Sequence, residues 1–278
     1  MKKLIKFSII LAILVLIAGG ALLGYAVATK AFQTEVSTNK YVITEEFENI
    51  NFDLTTSNIF LKKSNNEELK IETVESKYTK IEYEVKDNTL NVNNNEGFKN
   101  WIDRIFDFSF VSTSVTLYLP NTDYNEITAK VSTGDITVPN DFTFNKSTII
   151  STTGDVEFKA NTLTDITIEV TTGEINVEKS NCENLKISGS TGDVFLKELE
   201  ASNSINVSLS TGNIKFEKID SHSIKLATTT GDIEGTFLTN KRIEASTTTG
   251  DTDVESTADA DLCIASTTTG DINIKIVK

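Results

Sequence analysis

Proline, cysteine, histidine and tryptophan are scarce in this sequence: two, two, one and one among 278 residues. So few prolines exclude a Pro-rich linker protein, and two cysteines exclude a disulfide-dense secreted module. Basic residues are also short, 26 against 40 acidic, for a formal net charge of −14. Such a polyanion repels phosphate backbones and anionic lipid heads, so nucleic acid is not an expected partner. With 38% hydrophobic and 24% charged residues, the chain is neither disordered nor wholly membrane-embedded.

What is present begins with an apolar run. From Phe7 to Ala28 polar character enters only at Ser8 and Tyr25, and a helix of this length reaches roughly 33 Å, enough to span a bilayer core. Lys2, Lys3 and Lys6 precede the run and only Lys30 follows closely, so the positive-inside bias keeps the N-terminus cytoplasmic and sends the remainder outward. Ala26-Val27-Ala28 also reads as a signal-peptidase site, but the length of the run favours a retained anchor. Ile17-Ala18-Gly19-Gly20 lacks the cysteine of a lipoprotein signal. The organisation expected is a cytoplasmic tail over 1–6, a transmembrane helix over 7–28 and a polar stalk over 29–46. A degenerate first coil with an N-terminal cap follows over 47–123, then regular repeats over 124–278.

The repeat is a tetrad of Ser/Thr, Thr, Gly and Asp, Glu or Asn. Its glycines are Gly134, Gly154, Gly173, Gly192, Gly212, Gly231, Gly250 and Gly270, spaced 19 or 20 residues apart and each preceded by Thr. Two and four residues after most of them stand aliphatic or aromatic residues, such as Val156 and Phe158 or Ile175 and Val177. Five and seven before stand others, such as Ile168 and Ile166. This period of two is strand-like. No repeat has enough apolar residues for its own core, but coils stacked about 4.8 Å apart do, and eight make a rod of roughly 38 Å. The fold class is therefore all-β, a parallel β-helix (β-solenoid) of 19–20-residue coils, with the right-handed crossover as the default hand. Ile50, Phe52, Leu54, Ile59 and Leu61 repeat the spacing, with Ser57-Asn58 where Gly-Asp would stand, marking a diverged first coil. Between Gly97 and Phe110, residues Phe98, Trp101, Ile102, Ile105, Phe106, Phe108 and Phe110 concentrate aromatic bulk. This insert either covers the open end of the rod or contacts membrane or a partner, with Phe98, Trp101, Ile105 and Phe106 as the contact residues.

Stacking lines up Asp135, Asp155, Glu174, Asp193, Asn213, Asp232, Asp251 and Asp271 along one edge. The simplest role for each is to accept hydrogen bonds from its own turn. The alternative is Ca²⁺ between successive carboxylates, but the Gly-Gly-x-Gly-x-Asp nonapeptide of calcium-binding β-rolls is absent. No metal or other cofactor is expected. The adjacent threonines are only distantly similar to the arrays of ice-binding solenoids, and a hydroxyl ladder beside a turn explains them more simply. His222, the sole histidine, lies between two serines, and Lys241-Arg242 is the only basic pair of its kind in the array. Neither makes a cluster that a polysaccharide-cleaving site needs, so the chain reads as non-enzymatic. Cys182 is expected to share an inward column with Phe144 and Leu163. Cys263 lies about four coils away, near 20 Å, so both thiols should be free.

The apolar N-terminal run, the Leu117–Pro120 strand end and the repeated Ser/Thr-Thr-Gly-Asp-Ile-x-Val unit resemble the bacterial putative-adhesin family of single-stranded right-handed β-helix proteins. The likeness covers roughly Ile50 to Lys278. It implies an envelope-associated location and brings no catalytic residues. The function expected is a cell-membrane-anchored, single-pass, extracytoplasmic binding or scaffold surface for protein or envelope glycan. The alternatives are an accessory of a cell-envelope stress response, acting through the aromatic insert, and an enzyme on uronate-rich polysaccharides using Asp193 or Lys241. Parity offers a direct check. Ile187→Asp should place a charge in the core and lower stability by several kcal/mol, whereas Lys186→Asp should change little. Chemical denaturation of the two variants measures this, and equal losses would refute the alternation.

Overall fold

The period-two pattern is realised as strands that pair in parallel with the coil above and the coil below. Ser147 lies beside Ile127 on one flank and Ile166 on the other, and Ile149 lies between Ala129 and Ile168. The computed structural model describes residues 12, 15–21, 24–25, 36–76, 79–96 and 112–277. Most of the expected transmembrane segment and the whole aromatic insert, with Phe98, Trp101, Ile105 and Phe106, lie outside them. Among the described residues no helix is long and apolar enough to cross a membrane.

Each coil contributes a long strand ending in the Thr-Gly turn, a short strand after it, and a return arm. The long strands form one wall of the rod. Its order begins Thr79–Lys86, Thr89–Glu96, Asn49–Thr56, Asp123–Thr133, Thr143–Thr153, Asp165–Thr172, Asn181–Thr191. The short strands Asn58–Lys63, Ile136–Val138, Val156–Phe158 and Ile175–Glu178 form a second wall. In Val194–Thr211 and Ile214–Thr230 the return arm is itself strand, so one continuous element of 18 and one of 17 residues serves both walls.

The inward columns are closed to solvent. Ile127, Ile149, Ile168, Ile187, Val207 and Leu226 are buried, as are Val138, Phe158, Val177, Leu196 and Ile274 beyond the turn. Lys186, the neighbour of Ile187, is exposed. Each buried aliphatic contributes about 1.5 to 3 kcal/mol, so these columns carry most of the cohesion. Aromatic residues pack together in the N-terminal part, where Tyr124 meets Phe47, Phe142 and Phe144 with ring centroids 6.0 to 6.5 Å apart. The return-arm register differs from expectation. Phe144 pairs with Thr162, while Leu163 points outward and is 62% exposed. Coil lengths of 19 and 20 residues place the slack in this arm, and a one-residue slip reverses a strand's faces.

The turn glycines stack on one another. All eight have φ between +134° and +149°, a region that costs L-residues strain. A Cβ on Gly154 would run into the carbonyl of Gly134, one on Gly173 into that of Gly154, and so on. Glycine is thus required twice over, by backbone angle and by the coil beneath. The diverged first coil enters the same column, because Gly134 rests on the carbonyl of Ser57.

The coils do not stack in chain order at either end. Asn49–Thr56 is inserted between Thr89–Glu96 and Asp123–Thr133. At the other end Asp261–Thr269 lies between Ile214–Thr230 and Lys241–Thr249, and Ile272–Ile276 lies between Ile233–Phe237 and Thr252–Val254. The outermost C-terminal coil in space is therefore the penultimate one in sequence. Ile243 and Val254 keep its inward columns apolar, but its other inward positions are small or polar: Thr252 is exposed, and Ala245 and Thr247 are half-buried, whereas Cys263, Ala265, Ile272 and Ile274 of the inserted coil are fully covered. This corrects the separation of the cysteines from four coil steps to three. Both thiols are free and buried, and burial pushes each up to about 12.

The N-terminal end is closed by antiparallel strands. Thr79–Lys86 adds to the first wall, and Lys70–Ser76 followed by Val36–Val42 adds to the second. Glu72 ties this edge together through Lys40 at 2.7 Å, Lys70 at 3.2 Å and Tyr118 at 3.1 Å. The hydrogen bond from Lys40 leads in holding its carboxyl down at about 2.

The interleaved order has a specific test. Thr230 and Thr269 are lateral neighbours, and Thr249 lies one strand further out. The double variant Thr230→Cys/Thr269→Cys should form a disulfide on oxidation, and Thr230→Cys/Thr249→Cys should not. Peptide mapping distinguishes the two, and the reverse result would restore chain-order stacking.

Candidate functional site

The edge of the rod at the Gly turns is a ridge of exposed hydroxyls and carboxylates. Thr56, Thr133, Thr153, Thr172, Thr191, Thr211, Thr230, Thr269 and Thr249 stand in line in that order. The residue that precedes these threonines by two turns inward. In the last coils the hydroxyls of Thr228, Thr267 and Thr247 donate to the carbonyls of Gly212, Gly231 and Gly270 at 2.9 to 3.0 Å. Thus only two of each Thr-Thr-Thr triplet face solvent.

The acidic ladder works between coils, which corrects the expectation of bonds within one turn. Asp135 Oδ1 accepts from the backbone N–H of Asp155 at 2.9 Å, and Asp155 Oδ1 from that of Glu174 at 2.8 Å. Asp193 Oδ1 accepts from Asn213 at 2.7 Å, Asp232 from Asp271 and Asp271 from Asp251 at 2.8 Å. Asn58 and Asn213 play the same part through their amide oxygens, accepting from Asp135 and Asp232 at 2.9 Å. An acceptor is what the position requires, and the charge is incidental. Among the described residues no three His, Cys, Asp or Glu side chains converge as a metal site.

Neither residue of the enzymatic alternative stands in a catalytic setting. Asp193 is spent on Asn213. Lys241 is fully buried, with Nζ 2.5 Å from Asp220, 3.5 Å from Asp261 and 2.8 Å from the Ser221 carbonyl. It joins three successive coils and does not face solvent. Exposed His222 sits above it, 3.3 Å from Asp261.

A feature the repeat analysis did not single out lies on the second wall. Three residues after each Gly, on the outward parity, stand Thr137, Glu157, Asn176, Phe195, Lys215, Glu234, Asn273 and Asp253, side by side in that order. Asn176, Phe195, Lys215, Glu234 and Asn273 run along a shallow groove of about 530 Å³, with Glu178, Lys197, Glu217 and Thr236 on its flank. Five strands at the usual inter-strand spacing give it a length of roughly 19 Å. The chain leaves the groove at a corner where Lys179, Glu198 and Lys218 take positive φ of 50° to 54°. Phe195 is the sequence signal: it is the aromatic residue in a column that is otherwise polar.

The charges of the groove are already paired. Lys215 bonds Glu234 and Lys197 bonds Glu217, both at 3.0 Å, and Lys159 bonds Glu178 at 3.2 Å. Donating to the carboxylates of Glu217 and Glu234 raises the pKa of the Lys197 and Lys215 ammonium groups. Burial pushes Glu178 up, but bonds from Lys159 and Asn176 outweigh it and leave its carboxyl below the usual range. Asn176 donates Nδ2 to Glu178 at 3.3 Å, while its Oδ1 is buried without a partner.

With this geometry in hand, the comparisons place the chain. The Toastrack DUF4097 profile matches residues 47–207 and 162–278. The chain belongs to the Toastrack DUF4097 family. A solved structure described as a putative adhesin from Bacteroides fragilis shares the fold at TM-score 0.57 and 19% identity, covering 88% of this chain and 99% of its own. Another, described as a putative adhesin from Parabacteroides distasonis, aligns at TM-score 0.46 and 12% identity over 88% and 98% of the two chains. No curated protein matches. The resemblance to the putative-adhesin family is thereby met in this Toastrack chain.

The ladder makes a graded prediction. Asp193→Ala should strand the Asn213 N–H and cost about 1 kcal/mol, while Asp193→Asn should cost little because its amide oxygen still accepts. Denaturant midpoints of the two variants check this, and equal losses would mean that charge matters after all.

Proposed function

We propose that the protein is a membrane-anchored, extracytoplasmic β-solenoid, wound right-handed, whose coils present a non-enzymatic binding surface to the cell envelope. The observation that carries the reading is the groove along the second wall. Five coils contribute outward side chains to one continuous concavity, and their ionic groups satisfy each other instead of converging on a reacting centre. An apolar N-terminal run with lysines before it supports the anchor and its orientation, and the default hand of parallel crossovers supports the winding. The likeness in fold to a structure described as an adhesin is consistent with a binding surface.

Native Cys182 and Cys263 are buried and should resist a membrane-impermeant maleimide, which makes the full-length chain a clean labelling background. Ser246→Cys, at an exposed position, should be labelled in intact cells, and the protein should co-sediment with isolated envelope material. Labelling only after lysis, or absence from the envelope fraction, would overturn the proposal.

A further inference from the structure

The groove is built for one kind of ligand. Its ammonium groups are each bonded to a carboxylate at 3.0 to 3.2 Å, so a charged polymer gains an ion pair only by breaking one. An uncharged ligand keeps every pair and still finds their free lone pairs and N–H groups along its edges. Between the pairs sits the partly exposed ring of Phe195, with Asn176 on one side and Lys215 on the other. An aromatic face flanked by amides and charged hydrogen-bonding groups suits a molecule with an apolar face and a hydroxyl-bearing rim.

Asn176 sharpens the choice. Its Nδ2 is committed to Glu178, which fixes Oδ1 as the acceptor, and no protein group donates to that oxygen. A buried acceptor left unpaired costs free energy that an incoming O–H recovers. The side chain as a whole is half-buried, and the terminal amide torsion is soft, so a small rotation turns Oδ1 toward the groove. Asn273 and Thr236 add exposed or half-exposed polar groups at the far end. The groove is open and runs along the rod axis across successive coils, so it accepts an extended chain without requiring an end.

From these observations we infer that the groove binds an uncharged polysaccharide strand, with a sugar ring stacked on Phe195 and its hydroxyls bonded to Asn176 and the flanking Lys-Glu pairs. This inference rests on the binding-surface reading and names the ligand class for it. An acidic glycan or a peptide is a competing occupant that the test below separates.

The full-length protein is run in native gels cast with hydroxyethylcellulose, with polygalacturonate, or with no polymer. Hydroxyethylcellulose should retard it, and Phe195→Ala and Asn176→Ala should each weaken the retardation by about tenfold, as expected for loss of a central aromatic contact or a buried hydrogen bond. Lys225→Ala, on the other wall, should have no effect. Phe195 faces outward, so its variant should keep the wild-type melting profile, and circular dichroism verifies that. Labelling of Ser246→Cys in intact cells and envelope co-sedimentation without retardation by hydroxyethylcellulose would overturn the ligand assignment and leave the anchored, outward-facing reading standing. So would equal retardation of wild type and Phe195→Ala, or stronger retardation by polygalacturonate. Loss of co-sedimentation together with retardation would overturn both.

Discussion

The structure depends on glycine lying directly on the backbone of the coil beneath it. At the turn edge of the rod there is no room for a side chain between one coil and the next, so the coils approach to the full inter-strand hydrogen-bonding distance there. The chain bonds follow from that contact: Gly134 donates to Thr153, Gly154 to Thr172, and Ile136 and Val156 to the carbonyls of Asp155 and Glu174. Once this edge is pinned, the alternation of side chains on either flank has one parity available. The apolar columns fall inside and the Ser/Thr and Asp columns fall outside.

The acidic ladder belongs to the same contact. A row of like charges about 4.8 Å apart is mildly repulsive in water, and the row persists because Asp135, Asp155, Asp193, Asp232 and Asp271 each accept a neighbouring coil's N–H. Asn58 and Asn213 give the same acceptor without charge, which separates the structural requirement from the electrostatic by-product. The charge of these ladder carboxylates therefore reflects a backbone need and says little about ligands.

The parts of this architecture that repeat were legible in the sequence, and the parts that vary were not. Regular Gly spacing and period-two alternation define strand, turn and burial, and Ile187 and Lys186 lie on the faces their positions imply. The swapped ends were hidden because parallel strands of equal register accept one another in any order. The available sign was Thr252, a polar residue in an aliphatic column, which marks a coil with one side open. The outward face of Leu163 was not legible because coil length varies between 19 and 20 residues. The groove was not legible because a single Phe195 among polar residues carries no pattern until the register puts Asn176 and Lys215 beside it.

Interleaving at the two tips changes how the rod can come apart. The last strand in sequence is gripped along both flanks, and the tip beyond it is an internal stretch of polypeptide tethered at both of its ends. A pull on the C-terminal strand therefore loads its hydrogen bonds in shear, all together, and cannot peel them away one residue at a time. Such a rod resists fraying and mechanical drag through covalent connectivity.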